Sequence, residues 1–333
     1  MLGDISEGKA YWCHLSEPCI KYVPQWSLRL VADAGHQEWF KHLKYNTQIE
    51  KEDGGPRHAF VTSSFNTGWM HGDIKGAFLS DTDTTDKTNG QTDPDRSVEN
   101  NTVTVIGTVT KSAVATGAEL VAYSGFTASN YMYYNASDMA FGTGDFSISV
   151  WCIPSTDTTN EFILELDNAS TSNRFYILTT ATATKKLYTP WNNNITGSEL
   201  TPGEWNHVVI GRQSGTGFVY VNGKKIAAGS VAWTTALNGN GNGTISNYSA
   251  GISNNYAWSG SLALLRISGS SPSAEQVKKM YNDEKHLFHE NSKATLYGSS
   301  DAVTALAHDE VTDQLHVGTS SGRSDFQGLR RIN

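Results

Sequence analysis

Short runs of alternating apolar and polar residues, separated by Gly-rich breaks, recur from residue 103 onward. Examples are VTVIGTV, DFSISVWCI, RFYILTT, WNHVVIG and GFVYVNG. Alternation with a period of two is typical of strands with one buried face, and closely spaced turn signals are typical of a β-sandwich. Asn222 and Gly223 separate two of these runs and predict a type I′ hairpin turn. The pattern therefore predicts a mainly β protein with antiparallel sheets packed face to face.

A helical pattern covers residues 272–290. Ser273 and Gln276 form a capping box, and apolar residues follow at helical spacing, which predicts an amphipathic helix packed on another element. His286 and His289 lie three residues apart near its end. No Cys or carboxylate lies at a matching position, so we interpret the pair as a solvated helix end rather than a metal site.

The tail, residues 291–333, changes pattern again. AVTALAHD, a turn and QLHVGTSSG predict a strand, a turn and a strand, with the size of a hairpin from a propeller blade. A single blade cannot close a propeller. We therefore expect this tail to pack on the sandwich, on the N-terminal part of the chain or on copies of itself from neighbouring chains.

Residues 1–70 are rich in Trp, His and Lys, and predict a separate N-terminal module. Cys13 and Cys19 flank His14 in CHLSEPC and are candidates for a disulfide or a metal site. Their spacing matches no common zinc pattern, which favours unpaired thiols. The Trp-rich segments suit a protein interface, through which the module would attach the chain to other proteins.

A polar, acidic stretch dominates residues 71–112. Its part from 80 to 102 lacks apolar anchors apart from Val98, so we expect an exposed linker and long loop. The spacing D-x-D-x-x-D occurs here at Asp81, Asp83 and Asp86. Such spacing occurs in calcium loops, but the rest of an EF-hand loop is missing, which favours a solvated loop.

Charge and hydropathy exclude two classes of partner. The formal net charge is -8, so there is no positive field for nucleic acid. No run of 18 apolar residues occurs, which argues against membrane insertion. The N-terminus also lacks the apolar region of a signal peptide, so we expect a chain made in the cytosol.

Two reactive side chains follow the strand pattern. Cys152 shares a face with Ile148 and Val150 in FSISVWC, which predicts a small core residue. His207 alternates in step with Val209 in WNHVVI, which favours a structural rather than a catalytic histidine.

Four segments in order carry a resemblance: GTGDFSISVWC, ILELDNASTSNRFYIL, LTPGEWNHVVIGRQSGTGFVYVNGKKIA and WSGSLALLRISGSSPSAEQVKKMYNDEK. Together they resemble the concanavalin A-like, laminin-G-like jelly roll, over residues 113–271. The resemblance implies two antiparallel sheets with a concave face and a loop rim able to hold sugars. A short C-terminal helix, a blade-like β-hairpin tail and a separate N-terminal module would complete the chain.

FNTGWMHGDIKGAFLSDTD, the jelly roll, the helix and the tail together also resemble structural proteins of tailed bacteriophages. That resemblance implies a fibre or other exposed virion protein, made in the host cytoplasm and displayed on the outside of the particle. It also implies partners among other virion proteins, through residues 1–70, and assembly from identical copies, as trimers by analogy with fibres.

A catalytic role needs a specific set of carboxylates. Glucanases with this fold use E-x-D-x-E or E-x-D-x-x-E on one strand, where alternate side chains share a face. Glu165 and Asp167 match the first two positions, but Ala169 and Ser170 occupy the third. Glu161 shares the parity of Glu165 but lies on the wrong side of the pattern, and is interpreted as a strand-edge charge. We therefore expect no enzyme activity; a glycan-cleaving hydrolase and a purely architectural subunit are the alternatives.

The resemblance implies two kinds of binding residue. No cofactor is expected, with calcium on the sandwich rim left open as a metal, bound by oxygen-rich loops. The calcium candidates are Asp157, Asp167, Asn168 and Asn173. Flat aromatic rings near amides suit sugar faces and edges. The candidates for contact with a host-surface glycan are Tyr131, Tyr133, Tyr134, Trp191, Tyr256 and Trp258.

Overall fold

The computed structural model describes residues 74–97, 99–166, 174–239, 241–247, 256–293, 295–298, 303–309, 311–312, 314–327 and 330–333. The predicted N-terminal module lies outside these residues, as do its candidate metal residues Cys13, His14 and Cys19. The described chain divides into two compact units. One comprises residues 74–112 and 121–278, and the other comprises residues 113–120 and 279–333.

Strands make up most of the regular secondary structure of the described residues. In chain order they are β1 Ile74–Phe78, β2 Lys87–Thr88, β3 Thr92–Asp93, β4 Val103–Ile106, β5 Thr108–Ala113, β6 Val121–Ser124, β7 Tyr131–Asn135, β8 Phe146–Ile153, β9 Glu161–Glu165, β10 Tyr176–Thr179, β11 Leu187–Tyr188, β12 Asn206–Gln213, β13 Thr216–Val221, β14 Lys224–Lys225, β15 Asn242–Ile245, β16 Ser261–Ser268, β17 Val303–Asp309, β18 Gln314–Thr319, β19 Gly322–Gln327 and β20 Arg330–Arg331. The helical elements are α1 Ala274–Glu284 and one-turn 3-10 helices at Ser137–Met139, Ala227–Gly229 and Lys285–Phe288.

The first unit is an antiparallel sandwich. A nine-stranded sheet has the order β14-β13-β12-β8-β16-β6-β5-β2, with β1 also paired to β16, and a seven-stranded sheet has the order β11-β10-β9-β15-β7-β4-β3. One hydrophobic core lies between them, because each long strand alternates. In β8, Phe146, Ile148, Val150 and Cys152 face this core. The predicted fold class and the buried position of Cys152 are therefore confirmed, and burial raises the pKa of its thiol well above the usual value.

Turn and cap chemistry predicted from the sequence is also present. Asn222 and Gly223, which join β13 to β14, have φ of 49° and 75°, as a type I′ turn requires. At the start of α1, the Ser273 amide donates to Gln276 Oε1 at 2.8 Å, and the Gln276 amide donates to Ser273 Oγ at 3.2 Å. Val277 then packs with Val209, Phe218 and Tyr220 of the nine-stranded sheet.

The prediction of an exposed linker and long loop at residues 71–112 holds only for its middle part, since residues 83–86 and 88–92 are exposed whereas the described segments on either side belong to the sandwich. β1 pairs with β16, and β4 and β5 are strands of the two sheets. Asp81, Asp93 and Asp95 are buried, and Lys111 Nζ lies 2.7 Å from Asp81 Oδ2. The acidic composition of this segment suggested solvated charges. These three carboxylates instead serve as internal hydrogen-bond acceptors.

The tail unit contains a four-stranded antiparallel sheet in the order β17-β18-β19-β20. The predicted strand, turn and strand are β17 and β18, and two further strands extend them. Val303, Leu315, Val317 and Phe326 form its small core. Among the described residues, no helix is both long enough and apolar enough to cross a membrane.

Candidate functional site

The outer face of the seven-stranded sheet carries the best candidate site. Residues paired across β10, β9, β15, β7, β4 and β3 form one row on this face: Tyr176, Glu165, Thr244, Tyr133, Thr104 and Thr92. Tyr176 and Tyr133 lie three strands apart, which corresponds to roughly 14 Å at the usual strand spacing. Both rings are partly exposed, so two aromatic surfaces are separated by polar side chains. We call this row and its aromatic neighbours the aromatic face.

An aromatic cluster extends the aromatic face beyond Tyr176. Phe162 is buried at its centre, with ring centroids 5.6 Å from Tyr176 and 6.1 Å from Tyr256. Tyr188 stacks on Tyr176 with centroids 6.0 Å apart. The three tyrosine side chains are partly exposed. Their rings therefore present apolar area and phenolic hydroxyls at one surface.

An ion pair lies within the row. Arg174 Nη1 lies 3.4 Å from Glu165 Oε1, and the guanidinium lies over the Tyr176 ring at 5.2 Å from its centroid. Glu165 is fully buried. The opposite charges cancel, so this part of the aromatic face is electrically close to neutral.

Two of the six predicted glycan contacts are wrong. Tyr134 and Trp258 are fully buried in the sandwich core. Tyr134 alternates with Tyr133 along β7, so only one of them can face outward. Its hydroxyl donates to the Glu165 carbonyl at 3.3 Å, and Trp258 Nε1 donates to the Ser261 carbonyl at 3.4 Å.

The other four candidates differ in their surroundings. Tyr131 and Tyr133 are partly exposed on the outer face of β7, and Tyr256 is partly exposed beside Phe162. Trp191 packs against the core instead, with ring centroids 5.0 Å from Trp233. The structure brings Tyr133 and Tyr256 onto the aromatic face, whereas Trp191 belongs to a separate aromatic cluster with Phe175 and Trp233.

A β-bulge in β9 separates the two glutamates of this strand. Phe162 pairs with Leu178, but Leu164 pairs with Ile177, so Ile163 is an extra residue. Glu161 therefore lies on the opposite face from Glu165, contrary to the parity expected from the sequence. It is not a strand-edge charge either, since it is fully buried and its Oε2 lies 3.0 Å from Lys185 Nζ.

The calcium candidates cannot be assembled from the described chain. Asp167, Asn168 and Asn173 lie outside the described residues, and Asp157 is exposed. Within the described ranges, no three His, Cys, Asp or Glu side chains come close enough together to hold a metal ion. That statement includes Asp81, Asp83 and Asp86, and the pair His286 and His289. Calcium binding at the rim stays a prediction.

A Ser-His pair in the sandwich has the atoms of a catalytic dyad but the wrong environment. His207 Nε2 lies 2.9 Å from Ser149 Oγ, and both residues are fully buried. Burial and the nearby Arg266 guanidinium lower the pKa of His207 to about 3. His207 is thus a structural histidine, as its alternation with Val209 predicted.

Tyr176, Tyr188 and Arg174 are not among the site residues predicted from the sequence. The pattern of RFYILTT predicts a strand. The prediction did not state that Tyr176 faces outward while its neighbours face the core. The alternation of Tyr176 with Ile177 carried that information, because the aliphatic residue faces the core.

Comparison with known proteins defines the fold class. Residues 126–278 match the family model described as the Concanavalin A-like lectin/glucanases superfamily. The sandwich is therefore a concanavalin A-like jelly roll. A comparison with curated protein sequences finds no match.

Solved structures show distant similarity. Domain 4 of AbnA, a GH43 extracellular arabinanase from Geobacillus stearothermophilus in complex with arabinotriose, is 18% identical, with 63% of this chain and 99% of that chain covered and a TM-score of 0.45. A Trypanosoma rangeli sialidase mutant displaying trans-sialidase activity is 13% identical, with 64% and 33% covered and a TM-score of 0.46. The binding domain of Paraclostridial Mosquitocidal Protein 1 is 13% identical, with 63% and 52% covered and a TM-score of 0.44. The match thus spans a third of the sialidase chain and about half of the chain that holds the mosquitocidal binding domain.

Proposed function

We propose that this protein is a non-enzymatic structural component of a tailed-phage virion, a tail fibre or other surface appendage, whose jelly roll binds a host-surface glycan on the aromatic face. The observation that carries glycan binding is the pair of partly exposed rings, Tyr133 and Tyr176, in one cross-strand row with polar residues between them. Tyrosine rings stack on the apolar faces of sugars, and their phenolic hydroxyls bond to sugar hydroxyls. Glu165 and Thr244, which lie between the two rings, are buried beneath this surface.

Binding without cleavage is supported by the carboxylates. A retaining glycosidase needs two carboxyl groups about 5 Å apart that reach one glycosidic bond. Glu165 is buried and paired with Arg174, and the bulge turns Glu161 to the other face. We therefore expect incubation with a bound glycan to leave it intact, as checked by mass spectrometry of the sugar.

The experiment is a glycan-array screen of the purified full chain, followed by calorimetry with the best glycan. Tyr133→Ala should weaken binding by about fivefold, because a stacking ring contributes on the order of 1 kcal/mol. Tyr133→Phe keeps the ring and should keep most of the affinity. Tyr297→Ala removes a tyrosine that is 53% exposed in the tail and is the matched control.

Equal affinities for wild type and Tyr133→Ala, with circular dichroism unchanged, would exclude the aromatic face as the binding site. Binding measured with calcium and with EDTA tests the rim prediction, since loss of affinity in EDTA is expected only if calcium forms part of the site.

The virion assignment rests on the phage-like order of segments from residue 60 to the C-terminus. It includes attachment to other virion proteins through residues 1–70 and assembly from identical copies in the host cytoplasm. Antibodies raised against the jelly roll should label intact particles in immunogold microscopy; labelling confined to lysate debris contradicts the assignment.

A further inference from the structure

The outer strand of the tail sheet differs from the other sheet ends in the described structure. β17 is seven residues long and lies at the end of its sheet. The end strands of the sandwich sheets, β14, β2, β11 and β3, contain two residues each, as does β20 at the other end of the tail sheet. Short end strands limit unwanted pairing, and β17 lacks that protection.

The composition of β17 also favours pairing. Its sequence, VTALAHD, contains no Lys, Arg or Pro, the residues that usually block sheet edges. In contrast, β14 is Lys224–Lys225 and β20 is Arg330–Arg331. β1, which lies beside β16 off the main strand order, is closed by hydrogen bonds: the Ala77 amide donates to Asp95 Oδ1, and the Ala77 carbonyl accepts from the Arg96 amide.

The side chains around β17 are accessible. Thr304, Ala305 and Ala307 are exposed, and the two alanines offer no bulk that would hold another strand away. The large hydrophobic side chains that are exposed in the described chain all lie in the tail unit: Tyr297, Val311 and Ile332. Val311, which follows β17, is 93% exposed.

We propose that β17 pairs antiparallel with β17 of a second copy, which joins two four-stranded sheets into one eight-stranded sheet. The charge pattern of β17 favours the antiparallel direction for pairing between two copies. The one acidic side chain of β17, Asp309, lies at its end, so antiparallel pairing places the two Asp309 residues about 20 Å apart at the usual rise per residue. Parallel pairing in register would place them opposite each other, which is unfavourable. A two-fold contact of identical strands is also the commonest route to a closed assembly.

The test is the mass of the full chain in solution, by light scattering and sedimentation at several concentrations. The wild type should form dimers. The double substitution Ala305→Lys and Ala307→Lys adds four charges to the paired strands and should give monomers. The matched control is Ala227→Lys with Ala228→Lys, at exposed positions of the sandwich unit, and should stay dimeric.

Hydrogen exchange of the wild type keeps the proposal testable if the lysine variant fails to fold. The amides of β17 that do not bond to β18 should be protected at high protein concentration and exchange faster on dilution. A monomeric or trimeric wild type contradicts two-fold pairing, and so does an unchanged mass of the folded Ala305→Lys, Ala307→Lys variant. Protection of these outer-edge amides that does not depend on concentration also overturns the proposal, since it places another segment of the same chain on this edge.

Discussion

Burial decides the charge of individual side chains in the sandwich. His207 has its pKa lowered from 6.5 to about 3, chiefly by desolvation and also by Arg266. Asp93 shows the opposite direction: desolvation raises its pKa from 3.8 to about 6, although Tyr123 donates a hydrogen bond to it at 3.0 Å. For both residues, burial therefore favours the neutral form of the side chain.

The stability of the sandwich should depend on pH through His207. Between about pH 6.5 and 3 the unfolded chain binds a proton at this residue and the folded chain does not, so its contribution falls as pH falls, by up to about 1.4 kcal/mol per unit. Asp93 has the opposite sign, since its contribution is greatest below about pH 4 and is lost as pH rises through about 6.

Comparing wild type with His207→Gln isolates the histidine from Asp93. In urea unfolding, the free energy lost in the variant should be largest near neutral pH and shrink toward about pH 4.5, because only the wild type is penalised by acid. A difference in free energy that stays constant over this range contradicts a neutral, buried His207.

At the scale of elements, the sequence predicted strands well where alternation was long and failed where pairing was irregular. β8, β12 and β13 alternate for six to eight residues, and all were recognised. The bulge at Ile163 is not visible in the hydrophobic pattern. The face of the sheet predicted for the Glu161 side chain was therefore wrong. Strands of two residues, such as β3, carry no detectable period at all.

Long-range hydrogen bonds explain the other failure, the acidic segment before β4. Asp95 Oδ1 accepts from the amides of Ala77 and Ser97 at 2.8 Å, and Oδ2 accepts from the Asn101 amide at 2.8 Å. Ala77 lies 18 residues away in β1. Local composition cannot distinguish such an acceptor from a solvated carboxylate, because its partners are distant in sequence.

Asp95→Ala should therefore destabilise the sandwich by roughly 2–5 kcal/mol, since it leaves several buried donors without an acceptor. Urea unfolding measures the loss. Asp83→Ala is the control: Asp83 is exposed in the same segment, and its removal should cost about 0.5 kcal/mol or less. Similar effects of the two substitutions would restore the earlier interpretation of this segment as a loosely attached loop.

At the scale of the whole molecule, the net charge of the protein should distinguish neutral from anionic ligands of the aromatic face. The chain carries a net charge of -8, and the Glu165–Arg174 pair adds no net charge to the face. A negative field disfavours the approach of anionic sugars, whereas stacking and hydrogen bonding to neutral sugars do not depend on it.

Neutral glycans should therefore bind with affinities that change by less than about twofold between about 50 and 500 mM salt, because few charges are screened on binding. Sialylated or uronate-containing glycans should bind more weakly at the lower salt concentration, where repulsion by the net charge is least screened. Calorimetry with a matched pair of neutral and acidic oligosaccharides measures both effects.

Arg174→Gln leaves the buried Glu165 carboxylate without its cation and should widen the preference for the neutral sugar. Tighter binding of the acidic sugar at low salt, lost in Arg174→Gln, would instead show that Arg174 binds a carboxylate of the ligand rather than serving to neutralise Glu165.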